Sequence, residues 1–290
     1  MRRLRPLCLE SGLCGRWRRP ERISCRERVF VLRAGETRDV KIVVVSPHRD
    51  DAAFALTLAV DAWIAAGHKV SVVNCFSRSE YAPYSDADSV HANDRMSFVT
   101  ALRGREDESW RRQYGTAVTL VDLNMKDAPL RLHIGPDEVR GLSVNINDKA
   151  LMKIQKAVER IAPAAVVLPL GLGGHIDHLT ARQSMIAAAA GAMACAFCED
   201  VPFAPLAEPI EDFVGGVVRE FSLNLKPVLV GLADDEAAAI TRRRRAAFCY
   251  DSQVDDAEVE AIAQFCKVYG GRERLWANQA WLDLSPGLEA

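Results

Sequence analysis

Three of the chain's six histidines fall in two short segments that also carry aspartates. The first reads Ser46-Pro47-His48-Arg49-Asp50-Asp51 and the second Gly171-Leu172-Gly173-Gly174-His175-Ile176-Asp177-His178. A catalytic zinc ion takes three imidazole or carboxylate ligands from the protein and keeps a position open for water. The spacing of His48 and Asp51 lets a strand-to-helix turn aim both side chains at one point and direct Asp50 elsewhere. His178, from the second segment, completes a His-Asp-His set. Asp50 then lies where it can take a proton from water. His175 is placed to stabilise an oxyanion or to protonate a leaving amine. Asp177 is placed to orient His175 through a carboxylate–imidazole hydrogen bond, which fixes the tautomer and holds the ring charged. Plainer readings exist: Asp50 and Asp51 as helix caps, His178 as the opening residue of a helix. The conjunction of a full ligand set with a base and an acid favours the metal site.

Segments so far apart in sequence meet only if the fold brings them together. Lys41-Ile42-Val43-Val44-Val45 is a β-branched run suited to a fully buried strand, and it leads straight into the first segment. Residues 51–66 suit a helix that stops at Gly67. Val70 to Phe76 reads as the next strand, and the polar stretch from Ser77 to Asn93 as a long loop. A helix follows to about Tyr114, then a strand at Ala117 to Val121 and an amphipathic helix over 147–161. The strand Ala164 to Pro169 leads into the second segment. An Ala-rich helix over 178–191, a strand at 193–198, a further strand from Phe213 to Leu223 and helices over 233–247 and 255–269 complete the pattern. Alternating strands and helices imply an α/β, Rossmann-like fold with a mostly parallel sheet and helices on both faces. Ligands of such sheets bind at the carboxyl ends of the strands, where both segments fall.

The chain has 290 residues, a net charge of -2 and a pI of about 6.3, so nothing demands nucleic acid or an anionic membrane as a partner. Residues 1–40 hold eleven Arg against five acidic residues. The expected layout is an Arg-rich tail over 1–38, one domain over 39–275 and a C-terminal tail over 276–290. No apolar run is long enough for a signal or a membrane span, and a cytoplasmic protein with reduced thiols is expected. Cys195 and Cys198 lack a second matching pair and read as small apolar residues of a strand. Arg242 to Arg245 reads as a solvated helix face.

PHxDD followed far downstream by GGHxDH resembles the PIG-L/LmbE family of zinc-dependent N-deacetylases, in a bacterial branch reading SPHxDDA. Arg49 stands where a Pro is common and Ala52 where a Glu is usual. The resemblance implies an LmbE-like fold. It also implies Zn2+ bound by His48, Asp51 and His178, Asp50 as general base, and His175 with Asp177 as the electrophilic pair. Arg103 in Arg103-Gly104-Arg105-Glu106-Asp107, Asp127 in Asp127-Ala128-Pro129-Leu130-Arg131 and Tyr250 in Tyr250-Asp251-Ser252-Gln253 match segments implied to contact substrate. Glu199-Asp200-Val201-Pro202-Phe203 resembles another family segment, with Cys198 in place of a Tyr. The implied activity removes the acetyl group from an N-acetylated amino sugar or glycoconjugate of the N-acetylglucosaminyl type. The alternatives are a decayed sugar-binding relative or a metal-dependent amidase or esterase. Plain readings also stand for the substrate set: a surface ion pair between Arg103 and Glu106, a turn at Asp127, and a packed Tyr250 with its hydroxyl on a backbone group.

Overall fold

A computed structural model describes residues 40–204, 209–232 and 235–284. The Arg-rich segment 1–38 lies outside the described residues. The first half runs β1 (Lys41–Ser46), α1 (Asp51–Ala65), β2 (Lys69–Asn74), α2 (Ala92–Arg111), β3 (Val118–Asp122), α3 (Ala128–Leu132), α4 (Lys149–Ile161) and β4 (Ala165–Pro169). The second runs α5 (Ile176–Ala190), β5 (Ala194–Cys198), α6 (Ile210–Phe221), β6 (Lys226–Val230), α7 (Glu236–Ala247), α8 (Asp256–Gln264), β7 (Glu273–Ala277) and α9 (Gln279–Leu284).

The strands form one sheet in the order β3-β2-β1-β4-β5-β7-β6. Strands β1 to β5 pair in parallel, and β7 runs antiparallel to both β5 and β6. β4 and β5 are buried along their whole length, as the apolar runs demand. The chain leaves β1 toward β2 on one side and later returns to β4 on the other. Right-handed crossovers in opposite directions put their helices on opposite faces. The gap beyond the carboxyl ends of β1 and β4 is thus a topological switch point, and both chemistry-bearing segments open onto it.

Four sequence expectations change. Phe213 to Leu223, expected as a strand, lies mostly in helix α6. Its Val214 and Val217 are buried at helical spacing, and the β-branched composition concealed the period. Strands β6 and β7 escaped notice because both are five residues long and β7 carries Glu273 and Arg274. The fold also continues past residue 275: β7 lies inside the sheet, and Trp281 of α9 is fully buried. Arg243, expected on a solvated face, is 1% exposed. It donates to Ile262 O at 3.0 Å, to Phe54 O at 2.5 Å and to Glu273. Cys195 and Cys198 sit in the buried strand β5, as expected.

Candidate functional site

The turn after β1 is folded by its own side chains. Ser46 Oγ donates to His48 O at 2.6 Å and accepts from Ala52 N at 3.2 Å, closing the loop over the start of α1. His48 N donates to Asp51 Oδ2 at 2.7 Å, which fixes the Asp51 carboxylate beside the His48 ring. Asp50 occupies the N-cap position of α1 but makes no side-chain cap bond. Its Oδ1 instead accepts from Arg103 Nη2 at 2.9 Å. Capping therefore does not explain why a carboxylate stands at position 50.

The loop after β4 bends through Gly171, Gly173 and Gly174, all with φ between 67° and 83°. At Gly173 an added Cβ would come 2.9 Å from the Cβ of Phe203, so glycine is required for both conformation and space. The ring of Phe203 packs edge-on against His178, with centroids 5.7 Å apart. His175 caps α5: its Nδ1 accepts from Asp177 N at 3.2 Å. That bond assigns the ring proton of neutral His175 to Nε2. Asp177 and His178 follow in the first turn of α5 and are buried.

The two loops converge. His48 Nδ1 lies 3.3 Å and His178 Nε2 3.4 Å from the same oxygen, Asp51 Oδ2. One ligand atom from each of His48, Asp51 and His178 falls within 4.8 Å of the others. His48, His175 and Asp177 form a second such group that shares His48. Each imidazole of the His48–Asp51–His178 set has a carboxylate behind it. His178 Nδ1 meets Asp200 Oδ1 at 2.5 Å, and His48 Nε2 meets Asp177 Oδ2 at 3.2 Å. This is the arrangement that turns the remaining nitrogen of a metal-binding histidine toward its ion. His178 Nε2 is buried with no hydrogen-bond partner among the described residues. An unpartnered buried nitrogen facing a carboxylate and a second imidazole fits a divalent cation better than it fits an empty core.

Charge at the site follows from these contacts. Burial favours a neutral His48, but hydrogen bonds to Asp177 and Asp51 outweigh it and raise its pKa to about 10. Burial likewise opposes charge on His178, and Asp51 and Asp200 reverse that, raising its pKa. Asp51 and Asp177 are held below the usual carboxylate range despite burial, by His178 and His48 for Asp51 and chiefly by His48 for Asp177. His175 goes the other way: burial, then the charges of His48 and His178, push it down to about 3. It is a neutral imidazole across the physiological range.

This differs from the expected role of Asp177. Its carboxylate accepts from Ala128 N at 2.7 Å and from Arg131 Nη2 at 2.6 Å and faces His48, so it backs a candidate ligand rather than charging His175. The expected substrate residues also separate. Arg103 is buried and holds Asp50, while Glu106 accepts from Ser252 N and Oγ at 2.9 Å each, so the two are not a surface pair. Asp127 caps α3, with Leu130 N at 3.4 Å from Oδ1, and is buried in the segment between β3 and α3. Tyr250 is fully buried; its hydroxyl donates to Asp107 Oδ1 at 3.0 Å and lies 3.3 Å from Arg49 O. Through these two contacts it supports the loop after β1.

Three supports were not singled out from sequence. Arg49 bonds both oxygens of Asp122 at 3.0 and 2.8 Å and reaches Asp107 at 3.4 Å. Arg131 pairs with Asp177 and Asp148 and lies over the Phe76 ring, 4.8 Å from its centroid. Asp200, read only as part of a resembling segment, backs His178 and accepts from Gly171 N and Leu172 N at 2.7 and 3.0 Å.

A mostly parallel α/β sheet with an imidazole–carboxylate cluster at its switch point defines the class: an α/β protein with a candidate metal centre. More particularly, residues 43–189 match the PIG-L family, described as GlcNAc-PI de-N-acetylase, and the chain belongs to that deacetylase family. It is 26% identical over 266 residues to 2'-N-acetylparomamine deacetylase of Streptomyces fradiae, covering 89% of this chain and 86% of that protein. A deacetylase of the teicoplanin biosynthesis pathway, solved as a complex, superposes with a TM-score of 0.60 at 17% identity, over 82% of this chain and 97% of its own. The zinc-inhibited form of a teicoplanin deacetylase gives 0.57 at 19% identity, over the same shares. At those identities the structural likeness establishes the LmbE-like fold.

Proposed function

We propose that the protein is a zinc-dependent hydrolase that removes the acetyl group from an N-acetylated amino sugar or glycoconjugate. The observation that carries the reading is the convergence of His48, Asp51 and His178, with the buried His178 Nε2 facing Asp51 but making no hydrogen bond among the described residues. Two imidazoles and a carboxylate are a donor set that zinc accepts, and both imidazoles are backed by carboxylates. The family match and the resemblance to an acetylated-aminoglycoside deacetylase support amide cleavage on a small acetylated sugar.

When bound, zinc supplies Lewis-acid polarisation and lowers the pKa of water from about 15.7 toward about 7. The chain's own residues do the rest. Arg103 holds Asp50 through Oδ1, which leaves Oδ2 to take a proton from the attacking water. The water oxygen bonds to the acetyl carbon, and the carbonyl electrons move to oxygen. His175, neutral and carrying its proton on Nε2, donates to that oxyanion. Collapse breaks the carbon–nitrogen bond, Asp50 returns its proton to the departing amine nitrogen, and acetate leaves. A charged His175 is not needed, since Asp50 serves as both base and acid.

Replacing Asp50 with Asn is expected to lower acetate release roughly 10²–10⁴-fold while zinc content stays at the parental level. Turnover of N-acetylated sugars by Asp50→Asn at the parental rate removes the base assignment. Protein that takes up no zinc on addition removes the metal reading altogether.

A further inference from the structure

We infer that a second pocket beside the candidate centre receives a negatively charged group of the substrate, and that Arg78 recognises it. The inference rests on the deacetylase reading for its place in a reaction. The pocket itself stands on separate observations.

A cavity of about 220 Å³ opens between α2 and the segments after β2 and β3, lined by Arg78, Met96, Ser97, Thr100, Ala101 and Asn124. Its position relative to the centre follows from α2. Met96, Thr100, Arg103 and Asp107 are spaced four, three and four apart and so share one face of that helix. Arg103 grips Asp50, and Asp107 bonds Asn74 and Tyr250 at the strand ends. Thr100 is therefore one turn from the residue that holds the proposed base, at a Cβ separation of about 5–6 Å. The cavity lies sideways along the same carboxyl edge, toward β3.

Two polar groups of its lining stand out, a half-buried guanidinium with a weak partner and a buried hydroxyl with none among the described residues. Arg78 is half-buried, and its backbone is locked: Arg78 N donates to Met125 O at 3.0 Å and Arg78 O accepts from Asp127 N at 2.9 Å. Yet its guanidinium makes no ion pair among the described residues, and its hydrogen bond there is to the Met96 sulfur, at 3.5 Å. A guanidinium offers five N–H donors, and a thioether is a weak acceptor. Thr100 Oγ1 is buried and has no hydrogen-bond partner among the described residues. Leaving a buried hydroxyl without a partner costs free energy unless a ligand supplies one, and the Arg78 guanidinium beside it has donors free for the same ligand. Ser97 and Asn124 add a hydroxyl and a carboxamide, and Lys126 is bridged to Arg78 by the backbone. The lining carries no carboxylate. A cation with hydroxyl and amide donors suits an oxygen-rich anion, a phosphate or a carboxylate, on the unit attached to the acetylated sugar.

The test uses the full chain and two readouts. In the first, binding of glucose 1-phosphate, glucuronate and glucose, none of which carries an acetyl group, is measured by calorimetry on the parent, Arg78→Gln, Arg78→Lys and Thr100→Val. Arg78→Gln is expected to weaken the anions roughly 10–100-fold, and Arg78→Lys to restore part of the loss. Whichever of phosphate and carboxylate loses more is the group the pocket takes. Thr100→Val should weaken the same anion while its thermal midpoint equals or exceeds the parent's, because it removes an orphaned hydroxyl. In the second readout, kcat/KM for N-acetylglucosamine 1-phosphate should fall through KM in Arg78→Gln, and kcat/KM for N-acetylglucosamine should not change. Equal anion binding by parent and Arg78→Gln, or an equal fall on charged and neutral sugars, overturns the inference. Arg78-dependent anion binding without acetate release from any sugar would sink the deacetylase reading and leave the pocket standing.

Discussion

Each imidazole of the ligand set turns one nitrogen toward Asp51 and the other against a carboxylate, Asp177 for His48 and Asp200 for His178. The backing carboxylates raise the basicity of the rings they hold, and that shapes how metal is taken up. Both histidines have raised pKa values without an ion, His48 to about 10, so a cation must compete with protons for the ring nitrogens. Zinc affinity is therefore expected to rise with pH between 6 and 8, about tenfold per unit for each proton displaced. Competition with a chromogenic chelator across that range measures it; an affinity flat from pH 6 to 8 would show that the rings are not protonated in the apo protein. Asp200→Asn, which keeps the shape but weakens the acceptor, should cost about 10–100-fold in zinc affinity and leave the fold intact.

At the scale of elements, the loop after β1 is fastened by a buried network rather than by a rigid residue in the position where the family often has Pro. Arg49 reaches Asp122 at the end of β3 and Asp107 of α2, Asn74 at the end of β2 donates to both carboxylates, and Tyr250 closes on Asp107 from below. Tyr250→Phe deletes one hydrogen bond to a buried carboxyl. It should lower stability by about 1.5–3 kcal/mol in denaturant titrations and leave KM for the sugar unchanged. A KM rise without loss of stability would return Tyr250 to the substrate. The metal-ligand motifs were legible in sequence because ligands that share a turn must sit at short fixed spacing, as His48 and Asp51 do. Their supports were not, since Arg49, Arg131 and Asp200 find partners in other elements, and such pairings carry no local period. The same contrast governs the fold. The apolar runs of β1, β4 and β5 announce burial on both faces. β6 and β7 are short strands, and the charges of β7 are neutralised only by tertiary partners: Arg243 on Glu273 and Glu199 on Arg274.

Across the whole molecule, Glu273 joins the two halves of the chain. It enters the sheet on β7, accepts from Ala59 N of α1 at 2.9 Å and pairs with Arg243 of α7. Burial outweighs the opposing pull of Arg243 and lifts the Glu273 pKa from 4.5 to about 7. Asp107, under the candidate site, is raised to about 7 by burial in the same way, despite Arg49. A carboxyl with a raised folded pKa binds its proton more tightly in the native state than in the unfolded chain. For Glu273 that contribution to stability is complete below pH 4.5 and is lost as pH rises through about 7. Between those values the slope is at most about 1.4 kcal/mol per pH unit for one proton. Glu273→Gln resembles the protonated form and keeps an acceptor for Ala59 N and Arg243. The stability difference, variant minus parent, should therefore become more positive as pH rises from 5 to 8, and subtracting the parent cancels the titration of every other group. Thermal melts of metal-loaded parent and variant at unit pH steps read this difference directly. A constant difference would mean that Glu273 is ionised throughout and that Arg243 wins over burial.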